Sequence, residues 1–279
     1  MSPEPTACLS WTPSGGDALA VRAAAGTHVG LVRGHNEDAW SIDPPVFVVA
    51  DGMGGHDAGD VASHLVIEAF RELAGTTHVA MADMDRCVRS AKSLVDALSP
   101  GERGAPGSTL VAAGYTRQDD VPFWLIANVG DSRAYSWRAG VLEQVSRDHS
   151  VVQELIEAGE IDDAEARHHP DRHVITRAIG ALEDAVAEFA MIPLLPGARL
   201  LLCSDGLSSE IDDDQISRVL ASVPSPDDAV EALIAAALAA GGRDNVTALL
   251  IDAVGVQAVD ETTLTGGTRL DEDTLRSAL

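Results

Sequence analysis

Residues 46–56 read Val46-Phe47-Val48-Val49-Ala50-Asp51-Gly52-Met53-Gly54-Gly55-His56. Two prolines precede an apolar run of strand length, and a glycine-rich turn follows it, which predicts a buried strand over residues 46–50 with a carboxylate at its rim. A strand end holds Asp51 still, and the glycine after it lets a ligand approach the backbone. The same arrangement of Asp beside Gly or Asn recurs in Asn128-Val129-Gly130-Asp131, Leu202-Cys203-Ser204-Asp205-Gly206 and Gly242-Arg243-Asp244-Asn245. One such aspartate is an ordinary turn former. Four of them, brought to the rims of sheets, are the oxygen-donor setting a hard cation needs.

Outward from this strand, Val61, Leu65, Val66, Ala69, Phe70 and Leu73 recur at helical spacing and put one apolar stripe against the core. A second helix is expected over residues 83–98, with Met84, Cys87, Val88, Ala91, Leu94 and Val95 inward and Pro100-Gly101 ending it. Short β-prone runs at 108–115, 123–129, 133–137 and 141–145 predict a meander of antiparallel strands. Residues 148–169 return to a helical pattern capped at Gly159. Strands are expected at 186–192, 199–203 and 246–254, with helices after Asp212 and over 225–240, the last stopped by Gly241. The first 20 or so residues read as a loose lead-in or an irregular edge strand, with order beginning near Val21, and residues 255–279 as a flexible tail. Helices paired between blocks of sequential strands lack the alternation of a doubly wound sheet and predict an α+β sandwich.

At 279 residues one large domain is the simplest reading, and an apolar share of 46% with 23% charged residues is a globular balance. Forty-four acidic against 19 basic residues leave a formal charge of −25, which repels nucleic acid and anionic lipid over most of the surface. The aromatic share of 4% offers no platform for stacking bases. Cys8, Cys87 and Cys203 are odd in number and widely spaced, so neither a disulfide framework nor a thiolate zinc site is expected, and a reducing, cytoplasmic compartment is. The amino terminus has no basic start and no apolar stretch, and the longest apolar run, 233–240, is far short of a membrane span.

Ordered blocks along the chain carry a resemblance: R-x-x-N-E-D at 33–38, D-G-M-G-G-H at 51–56, G-S-T at 107–109, N-V-G-D-S-R at 128–133, I-T-R-A-I-G at 175–180, S-D-G at 204–206 and G-R-D-N-V-T at 242–247. Together they resemble the protein phosphatase 2C family of metal-dependent serine/threonine phosphatases, in its compact bacterial branch. The resemblance implies a four-layer α+β sandwich of two antiparallel sheets flanked by pairs of helices, with residues 21–254 as the catalytic domain and 148–179 as a flap beside the site. It implies that Asp51 bridges two ions and Gly52 offers its carbonyl to one of them, that Asp205 and Asp244 complete the first site, and that Glu37 and Asp38 serve the second. Which of that pair is a direct ligand differs among relatives. Asp131 with Asp205 matches a third, weaker site.

Oxygen-only coordination selects Mn²⁺ or Mg²⁺ over zinc, the choice between the two staying open. Two ions sharing Asp51 can lower the pKa of a bridging water to give a hydroxide nucleophile, with no covalent intermediate. Arg33 matches the phosphate-binding arginine, whose planar fork suits two phosphate oxygens. His56 is the side-chain candidate for protonating the leaving alkoxide. Eukaryotic relatives place a histidine directly after the D-G pair, where this chain has Met53, so a structural His56 is the alternative. In the flap, Arg172 and Arg177 with His168, His169 and His173 form a locally basic stretch suited to attracting phosphorylated substrate. Phosphoproteins are the expected substrates, a serine/threonine kinase first among them, with other phosphoproteins open; no nucleic-acid or membrane partner is expected, and a monomer is the default.

The rival chemistries lack their residues. A cysteine-dependent phosphatase needs an arginine six positions after its cysteine, where this chain has Ser14, Ser93 and Ser209. Asp83-Met84-Asp85 is a D-x-D without a preceding buried strand, and no P-loop motif is present. A phosphatase-like binding module that has lost catalysis would show substituted ligands, whereas every matched position retains its residue.

Overall fold

Continuous apolar runs form strands here because both faces of each sheet are covered. The computed structural model describes residues 7–12, 20–54, 58–98, 105–119, 121–180, 186–254 and 268–269. Its strands are β1 (Ala7–Trp11), β2 (Ala20–His28), β3 (Asp38–Asp43), β4 (Val46–Met53), β5 (Gly107–Ser108), β6 (Leu110–Gln118), β7 (Val121–Val129), β8 (Arg133–Arg138), β9 (Val141–Gln144), β10 (Glu188–Pro193), β11 (Arg199–Cys203), β12 (Val246–Val254) and β13 (Thr268–Arg269). Its helices are α1 (Ala58–Phe70), α2 (Met81–Asp96), α3 (Val151–Glu157), α4 (Asp163–Ala166), α5 (Asp205–Ser208), α6 (Asp213–Ser222) and α7 (Pro226–Ala240). One sheet runs β1-β2-β12-β11-β8-β9 and the other β13-β10-β7-β6-β4-β3, with β5 beside β4. Every pairing is antiparallel.

The alternation along β4 shows how the layers stack. Phe47 and Val49 enter the core between the sheets, with Val111, Trp124, Ile126, Leu202 and Leu249. Val46, Val48 and Ala50 point the other way, against Ala62, Val66 and Phe70 of α1 and Met84, Cys87 and Val88 of α2. On the far side, Leu201, Cys203, Ala248 and Leu250 meet Leu207, Ile216, Leu220, Val230 and Leu233 of α5, α6 and α7. The architecture is therefore helix, sheet, sheet, helix, as an α+β layered sandwich.

Aromatic residues are few, yet four of them stand in one edge-to-face file through the central core: Phe47 on Trp124 (5.5 Å), Trp124 on Tyr115 (6.5 Å) and Tyr115 on Trp11 (5.6 Å). Trp11 belongs to β1, which pairs with β2 from Ala7↔Ala25 to Trp11↔Val21. Residues 7–11 thus take the edge-strand form, and order begins before Val21. In the segment expected as tail, Thr268 and Arg269 pair with Met191 and Ala190; residues 255–267 and 270–279 lie outside the described residues.

Two local readings are corrected by packing. The meander is two hairpins, β6–β7 in one sheet and β8–β9 in the other, because the chain crosses between sheets at 130–132. Val61 and Leu94 are exposed, at 43% and 37%. Small Ala62 lies buried in place of Val61, so α1 can approach β4 closely. Asp212 caps α6 by accepting from Gln215 N at 2.8 Å, Pro226 opens α7, and Gly241 ends it at φ +155°. Among the described residues no helix is long and apolar enough to cross a membrane.

Buried Arg199 ties the helical layer to its sheet. Its Nε and Nη2 donate to Asp252 at 2.8 and 3.1 Å, and its Nη1 donates to the carbonyls of Leu220 and Val223 at the end of α6, at 2.6 and 2.7 Å. Removing Asp252 leaves a buried guanidinium without its counter-charge. Asp252→Ala is expected to destabilise the chain by about 3–5 kcal/mol, read as a lower urea midpoint at an unchanged m-value; a loss below about 1 kcal/mol would show that the pair is not integral to the fold.

Candidate metal centre

Strand register makes the centre. Asp38 on β3 lies opposite Asp51 on β4, so two carboxylates meet across one antiparallel pair. Asp205 opens α5 directly after β11, and Asp244 precedes β12, the neighbour of β11. Asp131 stands in the crossing from β7 to β8. The five carboxylates thus come from the ends of strands in both sheets.

Backbone hydrogen bonds hold these ends. Asp51 N donates to Thr109 Oγ1 (3.0 Å), Thr109 N donates to the Asp51 carbonyl (2.8 Å), and Gly52 N donates to the Glu37 carbonyl (3.1 Å). A Cβ on Gly52 would sit 2.2 Å from the Gly59 carbonyl oxygen and 2.6 Å from that of Glu37, which is why the residue after Asp51 has no side chain. Gly206 is required in the same way, 1.9 Å from the Asn245 carbonyl oxygen. Asn245 is the pin of the assembly. Its Oδ1 accepts from Glu37 N (2.8 Å), and its Nδ2 donates to the carbonyls of Val29 and His35 (both 2.9 Å), fastening the 29–37 loop beside Asp244.

That loop carries Arg33, whose Nη2 donates to Asp244 Oδ2 at 2.6 Å. Burial pulls the guanidinium down, but the charge of Asp244 and its hydrogen bond, with Glu37 and Asp51, carry it above its usual value. Glu37 is buried, its carboxyl against the start of α1, where a Cβ on Gly59 would come within 2.9 Å of it. Asp38 Oδ2 accepts from Ser204 Oγ (2.8 Å) and Thr247 Oγ1 (2.7 Å), while its buried Oδ1 has no hydrogen-bond partner.

Burial raises Asp38 to about 7, against the hydrogen bonds from Thr247 and Ser204 and with the charges of Asp205 and Asp244. Asp51 is pushed well above the carboxylate range, first by burial and then by Asp38, Asp205, Asp131 and Asp244. Burial, then the charges of Asp205 and Asp148, does the same to Asp131 against Arg133. Asp205 rises through burial and Asp244, opposed by His173, a hydrogen bond with Asp51, and Arg33. So many carboxylates crowded together out of water call for positive charge.

Among the described residues no three carboxylate, imidazole or thiol groups are gathered closely enough to hold one ion as placed. The residues nevertheless fit a hard divalent ion: the donors are oxygens, Asp51 lies within electrostatic reach of four other aspartates, and Asp38 Oδ1 is buried and unsatisfied. Neither buried thiol is poised as a nucleophile, since burial pushes Cys87 and Cys203 up to about 12.

His56 lies outside the described residues. Of the basic stretch, His173 Nδ1 comes within 3.9 Å of Asp205 Oδ2, Arg177 turns inward to His149 (3.3 Å), and Arg172 donates to the His169 carbonyl (3.4 Å). The roles of Asn245, Ser204, Thr109 and Thr247 were not anticipated from sequence, although all four stand inside the quoted motifs; their polar side chains beside glycine and aspartate were the available signal.

The raised carboxylates fix a pH dependence for the metal-free protein. Between about pH 4, where unfolded aspartates release their protons, and the value of about 7 reached by Asp38, the folded chain holds protons that the unfolded chain has lost. Stability therefore falls as pH rises through this window. The lowered groups, Asp83, Glu210 and Asp227, act at lower pH and do not oppose it. In chelator, the melting temperature is expected to drop between about pH 5 and about pH 7.5, and Mn²⁺ at the higher pH to restore it; a melting temperature in chelator that rises over this range would contradict the account.

The family model for protein phosphatase 2C matches residues 32–247. The serine/threonine phosphatase stp of Listeria monocytogenes serotype 4b (strain F2365) is 34% identical over 242 residues, covering 81% of this chain and 93% of that protein. The serine/threonine protein phosphatase PstP of Mycobacterium tuberculosis (strain ATCC 25618 / H37Rv) is 38% identical over 241 residues, 85% of this chain and 46% of PstP. The crystal structure of the PstP catalytic domain in complex with two manganese ions superposes with a TM-score of 0.76 at 36% identity, covering 85% of this chain and 99% of that one. By sequence and by fold, the chain belongs to the protein phosphatase 2C family.

Proposed function

We propose that residues 21–254 form the catalytic domain of a protein serine/threonine phosphatase in which Asp51 would serve two divalent ions and the Gly52 carbonyl one of them, Asp205 and Asp244 would complete the first site, and Glu37 and Asp38 would serve the second. Asp131 with Asp205 serves a third. The family chemistry is metal-dependent hydrolysis of phosphoserine and phosphothreonine in proteins, and Mn²⁺ or Mg²⁺ is the cofactor. When bound, the ions supply Lewis acidity and make a water acidic enough to attack phosphorus near neutral pH.

The observation that carries this reading is Arg33 on the rim of an oxygen-only centre, 2.6 Å from Asp244 and held there by a loop fastened to Asn245. A planar five-donor fork in that place binds two phosphate oxygens and orients the ester. With a cation and a phosphate bound, Asp244 would serve the cation and Arg33 would be released to the phosphate oxygens. His56, two residues before the described start of α1, is our candidate proton donor to the leaving alkoxide.

Phosphoproteins are the substrates. A serine/threonine kinase among them, a monomeric state and a cytoplasmic location are the finer parts of the proposal, the last supported by three free cysteines. For residues 148–179 a role in substrate choice is proposed, with Arg172 tested by comparing a phosphopeptide with p-nitrophenyl phosphate. Arg172→Ala is expected to reduce turnover of the peptide selectively, and equal losses on both, or none, would remove this role.

Hydrolysis of p-nitrophenyl phosphate and of a phosphothreonine peptide should require Mn²⁺ or Mg²⁺ and stop in chelator. Asp51→Asn is expected to lower kcat by about 10²–10³, and Arg33→Lys to raise KM for the peptide more than it lowers kcat. Asp131→Asn should leave two tightly bound ions while reducing turnover. Well-folded protein without metal-dependent turnover would refute the enzymatic reading, and loss of both tight ions in Asp131→Asn would refute the division among ligands.

A further inference from the structure

Asp131 lies between two anchors, and both come from the root of the 148–179 segment. After it, Arg133 donates through Nε and Nη2 to Asp148 at 2.7–3.0 Å. Before it, Gly130 is gripped twice by residue 149: the Gly130 carbonyl accepts from His149 N (2.9 Å), and Gly130 N donates to the imidazole Nδ1 of His149 (3.1 Å). Gly130 has little other latitude. It sits at φ +99°, and a Cβ there would meet Thr109 Cγ2 at 2.7 Å.

The His149 ring is buried and touches no proposed ligand. With Nδ1 accepting from Gly130, the neutral ring carries its proton on Nε2, which faces Glu188 Oε2 at 3.4 Å. Glu188 is also within 3.7 Å of Arg147, and Arg177 closes over the same edge of the ring. The His149 carbonyl accepts from Thr176 N (2.8 Å), and Ser150 bridges Ile175, so the two ends of the segment are stitched together at this residue. Thr109, which packs on Gly130 and bonds to Ser132 (2.7 Å), also accepts from Asp51 N. A shift of the Gly130 amide therefore moves Asp131 relative to Asp51.

We propose that His149 is a positioning residue: its Nδ1 fixes the Gly130 amide and thereby holds Asp131 at the distance from Asp205 that their shared ion requires. The proposal rests on the reading of Asp131 as a ligand. It separates the two ring nitrogens, because an asparagine at 149 presents its Oδ1 where Nδ1 stands and keeps the bond to Gly130 N, whereas a glutamine places its amide near Nε2, keeps Glu188 and abandons Gly130.

The test titrates Mn²⁺ into chelator-stripped protein by calorimetry, for the wild type, His149→Asn, His149→Gln and Asp131→Asn, with hydrogen exchange of the Gly130 amide measured on the same proteins. His149→Gln is expected to weaken the loosest class of Mn²⁺ sites roughly 10–100-fold, to lose protection at Gly130, and to leave the tight pair unchanged. His149→Asn should retain both properties close to wild type. Combining His149→Gln with Asp131→Asn should do no more than Asp131→Asn alone. Asn and Gln variants with equal titrations, or a Gln variant with wild-type protection at Gly130, overturn the proposal. An Asp131→Asn titration identical to wild type overturns instead the ligand reading on which it rests.

Discussion

Four aspartates raised by burial, with the partly exposed Asp244 beside them, are the constraint around which this chain is arranged. Such a group does not assemble by its own interactions, since every carboxylate added raises the others. It is assembled by the sheets. Asp38 and Asp51 share a register position, Asp205 and Asp244 flank neighbouring strands, and the burial of Phe47, Val49, Leu202 and Leu249 between the sheets fixes those strand ends in space. Each large apolar side chain buried there contributes about 1.5–3 kcal/mol, so the central core has the stability that a crowded anionic rim draws down.

The polar side chains around the rim turn placement into alignment. Asn245 spends both ends of its amide on the loop that bears Arg33 and Glu37, while Ser204 and Thr247 share one oxygen of Asp38. This leaves Asp38 Oδ1 aimed inward without a partner. A carboxylate held by one oxygen and unsatisfied at the other is rigid on its protein side and open on its ligand side. That is the geometry by which outer hydrogen bonds orient a metal ligand.

Sequence disclosed the parts governed by local composition. Strands covered on both faces leave uninterrupted apolar runs, so residues 199–203 and 246–254 were legible to the residue, as were the helix after Asp212 and the stop at Gly241. The four aspartates beside glycine or asparagine were legible for the same reason, since the backbone needs of a strand end are local. What depended on distant partners was not. Nothing near residue 130 tells that β7 and β8 belong to different sheets. Val61 looked inward because it is the more apolar residue, yet the close approach of α1 to β4 selects Ala62. Asn245 looks like an ordinary turn residue until its partners, more than 200 positions earlier, are placed beside it.

The same distinction bears on Arg33. The resemblance implies a phosphate ligand at this position, while the fold shows it pairing with Asp244. On the proposed reading the two pairings would be alternatives, since a divalent ion would bring Asp244 a higher charge than a guanidinium does. An arginine on the rim suits this role better than one fixed in the core. It is half exposed, with its side chain at 49%, whereas Arg133, which anchors the root of the 148–179 segment, is at 28% and bonded on both sides of its fork. Exposure leaves the first able to change partners, and bonds to Tyr135 and Asp148 tie the second to one place.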